Sequence, residues 1–227
     1  MVVTALTRVR WEPSWRIIPT RYPKIDLFED VADPGEMESV LALYAIGNDR
    51  LREQLGLLRR IPLEDRIAGP GTSFIMAAFT HLNPTGSRFS DGSYGVFYAA
   101  RTVDVAIAET QHHLARFYAA TNQGATDVDQ RLLSVDLRGT LHDIRGRASE
   151  LRRVYSKTSY SASQRFGREK RSGGSWGIAY DCVRTKGQCA AVFRPPALSN
   201  CREKSWLSYA WDGRRFVDTY EKRPFAV

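Results

Sequence analysis

The chain has 227 residues, 43% of them hydrophobic, and a formal net charge of +8, enough for one domain with a real core and a surface suited to a polyanion. That partner class spans nucleic acid, an acidic protein and a phosphate-bearing small molecule, and charge alone does not choose among them. Three cysteines and four histidines, without CxxC pairs, exclude a disulfide scaffold and give no sign of a structural metal.

In chain order, the opening "MVVTALTRVRW" has no apolar stretch of signal-peptide length before its arginines, and no later run reaches membrane-spanning length. A cytoplasmic protein without a membrane span is expected. The strand candidate "SWRIIPTRY" leads to Pro23, and a residue before proline is pushed toward extended geometry, so Arg21 and Tyr22 are expected at a strand end or rigid turn. Met37, Val40, Leu41, Tyr44, Leu51, Leu55 and Leu58 recur at helical spacing, with a start near Asp33-Pro34 and a break at Gly47-Asn48. "SFIMAAFTHL" reads as a further short helix ending at Asn83-Pro84.

A glycine-rich loop, "NPTGSRFSDGSYG", then runs into a strand around Gly95 to Ala99. Thr102 is the expected N-cap for the helix "VDVAIAETQHHLARFYAA", with Asp104 in its first turn. Beyond a polar linker, "TNQGATDVDQ", come strands "RLLSVDL" and "TLHDI", separated by a turn at Arg138-Gly139. The basic stretch 145–174 reads as a solvated surface loop rather than a nucleic-acid clamp, because no binding motif accompanies it. "GIAYDCV", "CAAVFRP" and a hairpin at Asp212-Gly213 complete a mixed order of helices and strands, hence α+β.

Glu109 stands out in its helix, either on a solvated face or as a carboxylate turned into a cleft. The "SRFSDGSYGVFY" loop and strand, with Arg88 and Tyr98, could present backbone N–H groups and a guanidinium to a phosphate. No GxGxxG follows a strand, which argues against a Rossmann dehydrogenase.

Taken together, "TRYP", "RFSDGSYGVFYAARTVDVAIAE" and "GIAYDCVRTKGQCAAVFRP" resemble the RES domain, a family of bacterial toxins named for an invariant arginine, glutamate and serine. In that family an arginine in a Gly-Arg-Trp-Asn-like loop precedes a strand tyrosine and then a helix glutamate. Arg88, Tyr98 and Glu109 stand in that order at similar spacing. The serine of the family's Tyr-Pro-Ser-Val-Arg-like strand falls here on Cys182, within Tyr180-Asp181-Cys182-Val183-Arg184. Cysteine keeps the size but is a weaker hydrogen-bonding group, and with no histidine near it in sequence it reads as an inert buried thiol.

The resemblance implies a single domain over 1–227 of the ADP-ribosyltransferase type, with central strands, flanking helices and a helical insertion at about 35–80. It implies a toxin that cleaves NAD⁺ as a substrate, needs no cofactor or metal, and passes ADP-ribose to a protein, water or phosphate. Glu109 and Arg21 would be catalytic, with Cys182 at the serine position. Arg21, Tyr22, Arg88 and Tyr98 would hold NAD⁺. The implied partner is an Xre-type antitoxin whose C-terminal region blocks the active site, with nucleic acid met only through it. The competing classes are a basic nucleic-acid-binding or ribonuclease-type protein and a non-catalytic interaction module.

Overall fold

The computed structural model describes residues 3–20, 29, 33–44, 46 and 58–223. Two long antiparallel strands, β1 (Ala5–Pro19) and β3 (Thr126–Asp143), run side by side and form the spine. Their alternation of apolar and polar residues drives the pairing. Val9 and Trp11 on one strand and Leu133, Val135, Leu137 and Leu141 on the other are buried. The register shifts between Trp11 and Ser14, where Pro13 has no N–H to donate, and the Ser14 hydroxyl bonds Val135 O across the gap at 2.8 Å.

A ring of pairings closes around this spine. Trp15 of β1 pairs with Ala100 of β2 (Phe97–Ala100), and β2 lies antiparallel to β5 (Gln188–Val192). That strand pairs with β4 (Gly177–Asp181), which returns to the end of β3 as a short parallel ladder. The earlier part of the same β3 edge takes β6 (Leu198–Trp211), with β7 (Phe216–Lys222) outside it, to give seven strands among the described residues. The fold is a single mixed α+β sheet flanked by helices.

Four described α-helices pack on it: α1 (Met37–Tyr44), α2 (Thr72–Thr80), α3 (Val103–Ala120) and α4 (Ser161–Ser172). The first core cluster joins Phe74, Ile75 and Met76 of α2 to Trp11, Leu133 and Leu137. The second joins Val105 and Ala106 of α3 and Phe166 of α4 to Ile178, Tyr180 and Ala191. Helix α2, within the expected 35–80 insertion, is therefore core material. Among the described residues no helix is long and apolar enough to cross a membrane.

Two expectations are corrected. Arg138-Gly139 is no turn: Arg138 pairs with Arg10 and Gly139 with Val9, so one strand runs from the expected linker through both expected strands. The long partner β1 supplies hydrogen bonds on both sides of the glycine, which overrides its local turn preference. The basic stretch 145–174 is not merely a solvated loop, because Ser161–Ser172 is helical and buries Ser163, Phe166, Gly167 and Lys170 against the sheet. Its arginines hid a buried face centred on Phe166 and Gly167. The Thr102 cap and the Asp212-Gly213 hairpin stand as read: Thr102 accepts from Val105 N–H, and Asp212 Oδ1 accepts from Arg214 and Arg215 N–H at 2.7 Å each.

Candidate active site

Helix α3 is rotated by two apolar faces. Val105 and Ala106 pack into the second core cluster, while Val103, Ile107 and Leu114 lean on Leu132, Leu207 and Tyr209. Glu109 leaves the helix with its side chain 23% exposed, one turn beyond Val105. Close approach of the helix to the sheet is permitted by Gly187, where an added Cβ would lie 2.3 Å from Val105 Cγ2 and whose φ is +143°.

The Glu109 carboxylate is held from two sides. Oε1 accepts from Cys182 Sγ at 3.0 Å, and Oε2 lies 3.9 Å from His113 Nε2 on the next turn. Cys182 follows β4 directly; its N–H donates to Gly187 O at 2.9 Å, and its sulfur accepts from Arg184 N–H at 3.4 Å. Cys189, opposite Tyr180 in the ladder, completes a cluster in which the ligand atoms of Glu109, Cys182 and Cys189 all lie within 4.8 Å of one another. The thiol of Cys189 donates to Cys182 Sγ and so holds the Cys182 pKa below its ordinary value, while burial and Glu109 act to raise it. The same bond, with burial, pushes Cys189 up. Cys182 is thus half-buried with its thiol bonded to Glu109, and His113 of α3 approaches the other oxygen of the same carboxylate.

Arg88 sits 7% exposed on the loop between α2 and β2, where Ser87 N–H bonds Ser90 O at 2.7 Å in a tight turn. Its Nη1 donates to Val154 O and Ser156 O at 3.1 Å each, and its guanidinium lies 4.9 Å from the Tyr160 ring centroid. The Tyr98 hydroxyl fastens this loop, accepting from Phe89 N–H at 2.9 Å and sharing a 2.8 Å bond with Ser87 Oγ. Burial pushes the Tyr98 pKa up to about 12 although those bonds oppose it. The sequence expectation of a ring gripping the ligand thus acquires a second role, that of positioning Arg88.

Tyr180 joins the halves. It is buried edge-on to Phe89, and its pKa is raised well above the ordinary value by burial and then by Cys189, Glu109 and Tyr98, with Arg88 opposing. Tyr180 thus stands between the Phe89–Tyr98 loop anchor and the Glu109–Cys182–Cys189 cluster. Burial depresses the His113 pKa, with Arg184, Arg116 and Arg88 acting the same way and Glu109 opposing. Arg21 and Tyr22 lie outside the described residues.

Sequence reading missed Tyr180, Arg184, His113 and Cys189 as members of this cluster. The signal for Tyr180 and Arg184 was present in the Tyr-Asp-Cys-Val-Arg run; that for Cys189 required the β4–β5 register.

The model of the RES domain matches residues 63–212. An uncharacterized protein, y4oC, of Sinorhizobium fredii (strain NBRC 101917 / NGR234) is 26% identical over 208 residues, which cover 91% of this chain and 86% of that protein. A chain in the crystal structure of the M. tuberculosis MbcT-MbcA toxin-antitoxin complex aligns over 91% of this chain and 87% of its own length, with 11% identity and a TM-score of 0.48.

Proposed function

The chain belongs to the RES domain family, and on that premise we propose that it is the toxin of a toxin–antitoxin pair and cleaves NAD⁺ between nicotinamide and ribose. The observation that carries the reading is the Glu109 carboxylate, held by Cys182 Sγ at 3.0 Å and beside His113, which also feels the positive charges of Arg184, Arg116 and Arg88. A dinucleotide has the complementary pattern: an anionic pyrophosphate for the arginines and a ribose that becomes cationic as nicotinamide leaves.

In this mechanism Glu109 faces the anomeric carbon and stabilises the oxocarbenium-like state, as carboxylates do in glycosidic cleavage. The Cys182 thiol orients Glu109, and Arg184 N–H orients Cys182. Arg88, locked by Val154 O, Ser156 O and Tyr160, holds the pyrophosphate with Arg21, while Tyr22 and Tyr98 flank the ribose end. NAD⁺ is consumed as substrate in the cytoplasm, without a cofactor, and ADP-ribose passes to a protein acceptor, water or phosphate. The net charge of +8 suits an acidic surface on an Xre-type antitoxin that covers the site.

Nicotinamide release from NAD⁺ tests the reading, with purified protein alone, with phosphate, and with cell lysate in which ADP-ribosylated protein is detected. Wild type is expected to release nicotinamide, and Glu109→Gln to lose about 10²–10³-fold in kcat, the usual cost of removing one transition-state electrostatic contact. Folded wild-type protein that releases none in any condition refutes the reading and favours a basic binding module.

A further inference from the structure

We propose that Glu109, Cys182 and Cys189 form a zinc-binding site within the cleft. Three chain segments build it. The β4–β5 ladder sets Tyr180 opposite Cys189 and Asp181 opposite Gln188, and Cys182 continues the strand direction with its N–H on Gly187 O. Alternation then turns residues 180, 182, 187 and 189 to one face. Helix α3 covers that same face, because Gly187 lies directly under Val105, and Glu109 one turn later reaches the sulfurs.

The donor set matches the ion. Zinc takes thiolate sulfur and carboxylate oxygen tetrahedrally at about 2.3 and 2.0–2.2 Å, which places two coordinated sulfurs roughly 3.8 Å apart. Ligand atoms already within 4.8 Å of one another close on such an ion by small side-chain movements. Magnesium and calcium require oxygen ligands and are poorly served by two sulfurs. Three protein ligands leave a fourth tetrahedral position for water. On binding, the coordinating thiols give up their protons to solvent.

Occupancy has a functional consequence that rests on the NAD⁺-cleaving reading: an ion on Glu109 cancels the charge that would stabilise the ribose cation, so zinc inhibits. Serine at position 182 would remove a thiolate and with it the zinc response. The sequence conceals the site, since its cysteines are not a CxxC pair and Glu109 is remote from both.

Reduced, chelator-stripped wild-type protein is titrated with Co²⁺ and then Zn²⁺. The expected result is one Co²⁺ per chain with sulfur-to-cobalt charge-transfer absorption and tetrahedral d–d bands, both bleached by Zn²⁺. Cys182→Ser and Cys189→Ser should each weaken binding by at least about 10–100-fold, the range already seen when only a ligand's supporting contact is lost. Cys201→Ser, buried elsewhere on β6, should bind like wild type. In nicotinamide release, Zn²⁺ should inhibit wild type, and Cys189→Ser, compared with its own zinc-free rate, should need at least about 10-fold more Zn²⁺ for the same fractional inhibition.

Absence of the charge-transfer band in wild type overturns the site, as does a band unchanged in both folded cysteine variants. Thiolate-bound cobalt in a protein that never releases nicotinamide supports the site and refutes the NAD⁺ reading instead. Nicotinamide release insensitive to Zn²⁺, with no cobalt bound, refutes the site alone.

Discussion

At the scale of single residues, the cysteine at position 182 sets how the Glu109 carboxylate is held. A thiol is a weaker donor than a hydroxyl, yet it reaches Glu109 Oε1 at 3.0 Å and is itself supported by Arg184 N–H and the Cys189 thiol. Cys182→Ala removes that support and should lower kcat for nicotinamide release by about tenfold, equivalent to about 1.4 kcal/mol, with KM nearly unchanged. Cys182→Ser preserves a donor and should stay within about fivefold of wild type, since one neutral hydrogen bond replaces another at a net difference of less than about 1 kcal/mol. Equal losses in both variants, measured at saturating NAD⁺, would show that sulfur and not hydrogen bonding matters.

At the scale of elements, the site depends on backbones brought into contact where side chains are missing. Helix α4 lies against the Arg88 loop at Gly167, where an added Cβ would sit 2.3 Å from Phe89 O and 2.9 Å from Phe89 C. The obstacle is backbone, so it has no rotamer by which to yield. Gly167→Ala should destabilise the fold by about 1–3 kcal/mol, the usual cost of overpacking, and should also displace Arg88 and weaken NAD⁺ binding. A melting temperature and KM both equal to wild type would refute this account of α4 docking. The same helix was hidden in the sequence: "SASQRFGREKRS" shows charge before it shows the Phe166 and Gly167 stripe, and only the sheet it covers makes the stripe meaningful.

At the scale of the molecule, histidines held neutral by the fold couple stability to pH. His112 has its pKa lowered from 6.5 to about 4, first by burial and then by Arg184 and His113, and His113 and His142 shift the same way. Between those values the unfolded chain binds more protons than the folded one, so stability is full above about pH 6.5 and declines as pH falls toward about 4. Melting temperature should drop across that window, and His112→Gln should flatten the drop; an identical profile in the variant would remove His112 as a cause. The sequence by itself determined the mixed α+β class, the Thr102 cap, the Asp212-Gly213 hairpin and the order Arg88, Tyr98, Glu109, because periodicity, capping and turn chemistry act over a few residues. It did not determine that Arg138-Gly139 continues a strand, that Cys189 lies beside Cys182, or that Cys182, supported by Arg184 N–H, meets Glu109. Those relations depend on strand register and on how closely α3 rests over Gly187, and pairings between distant segments leave no local trace in the chain.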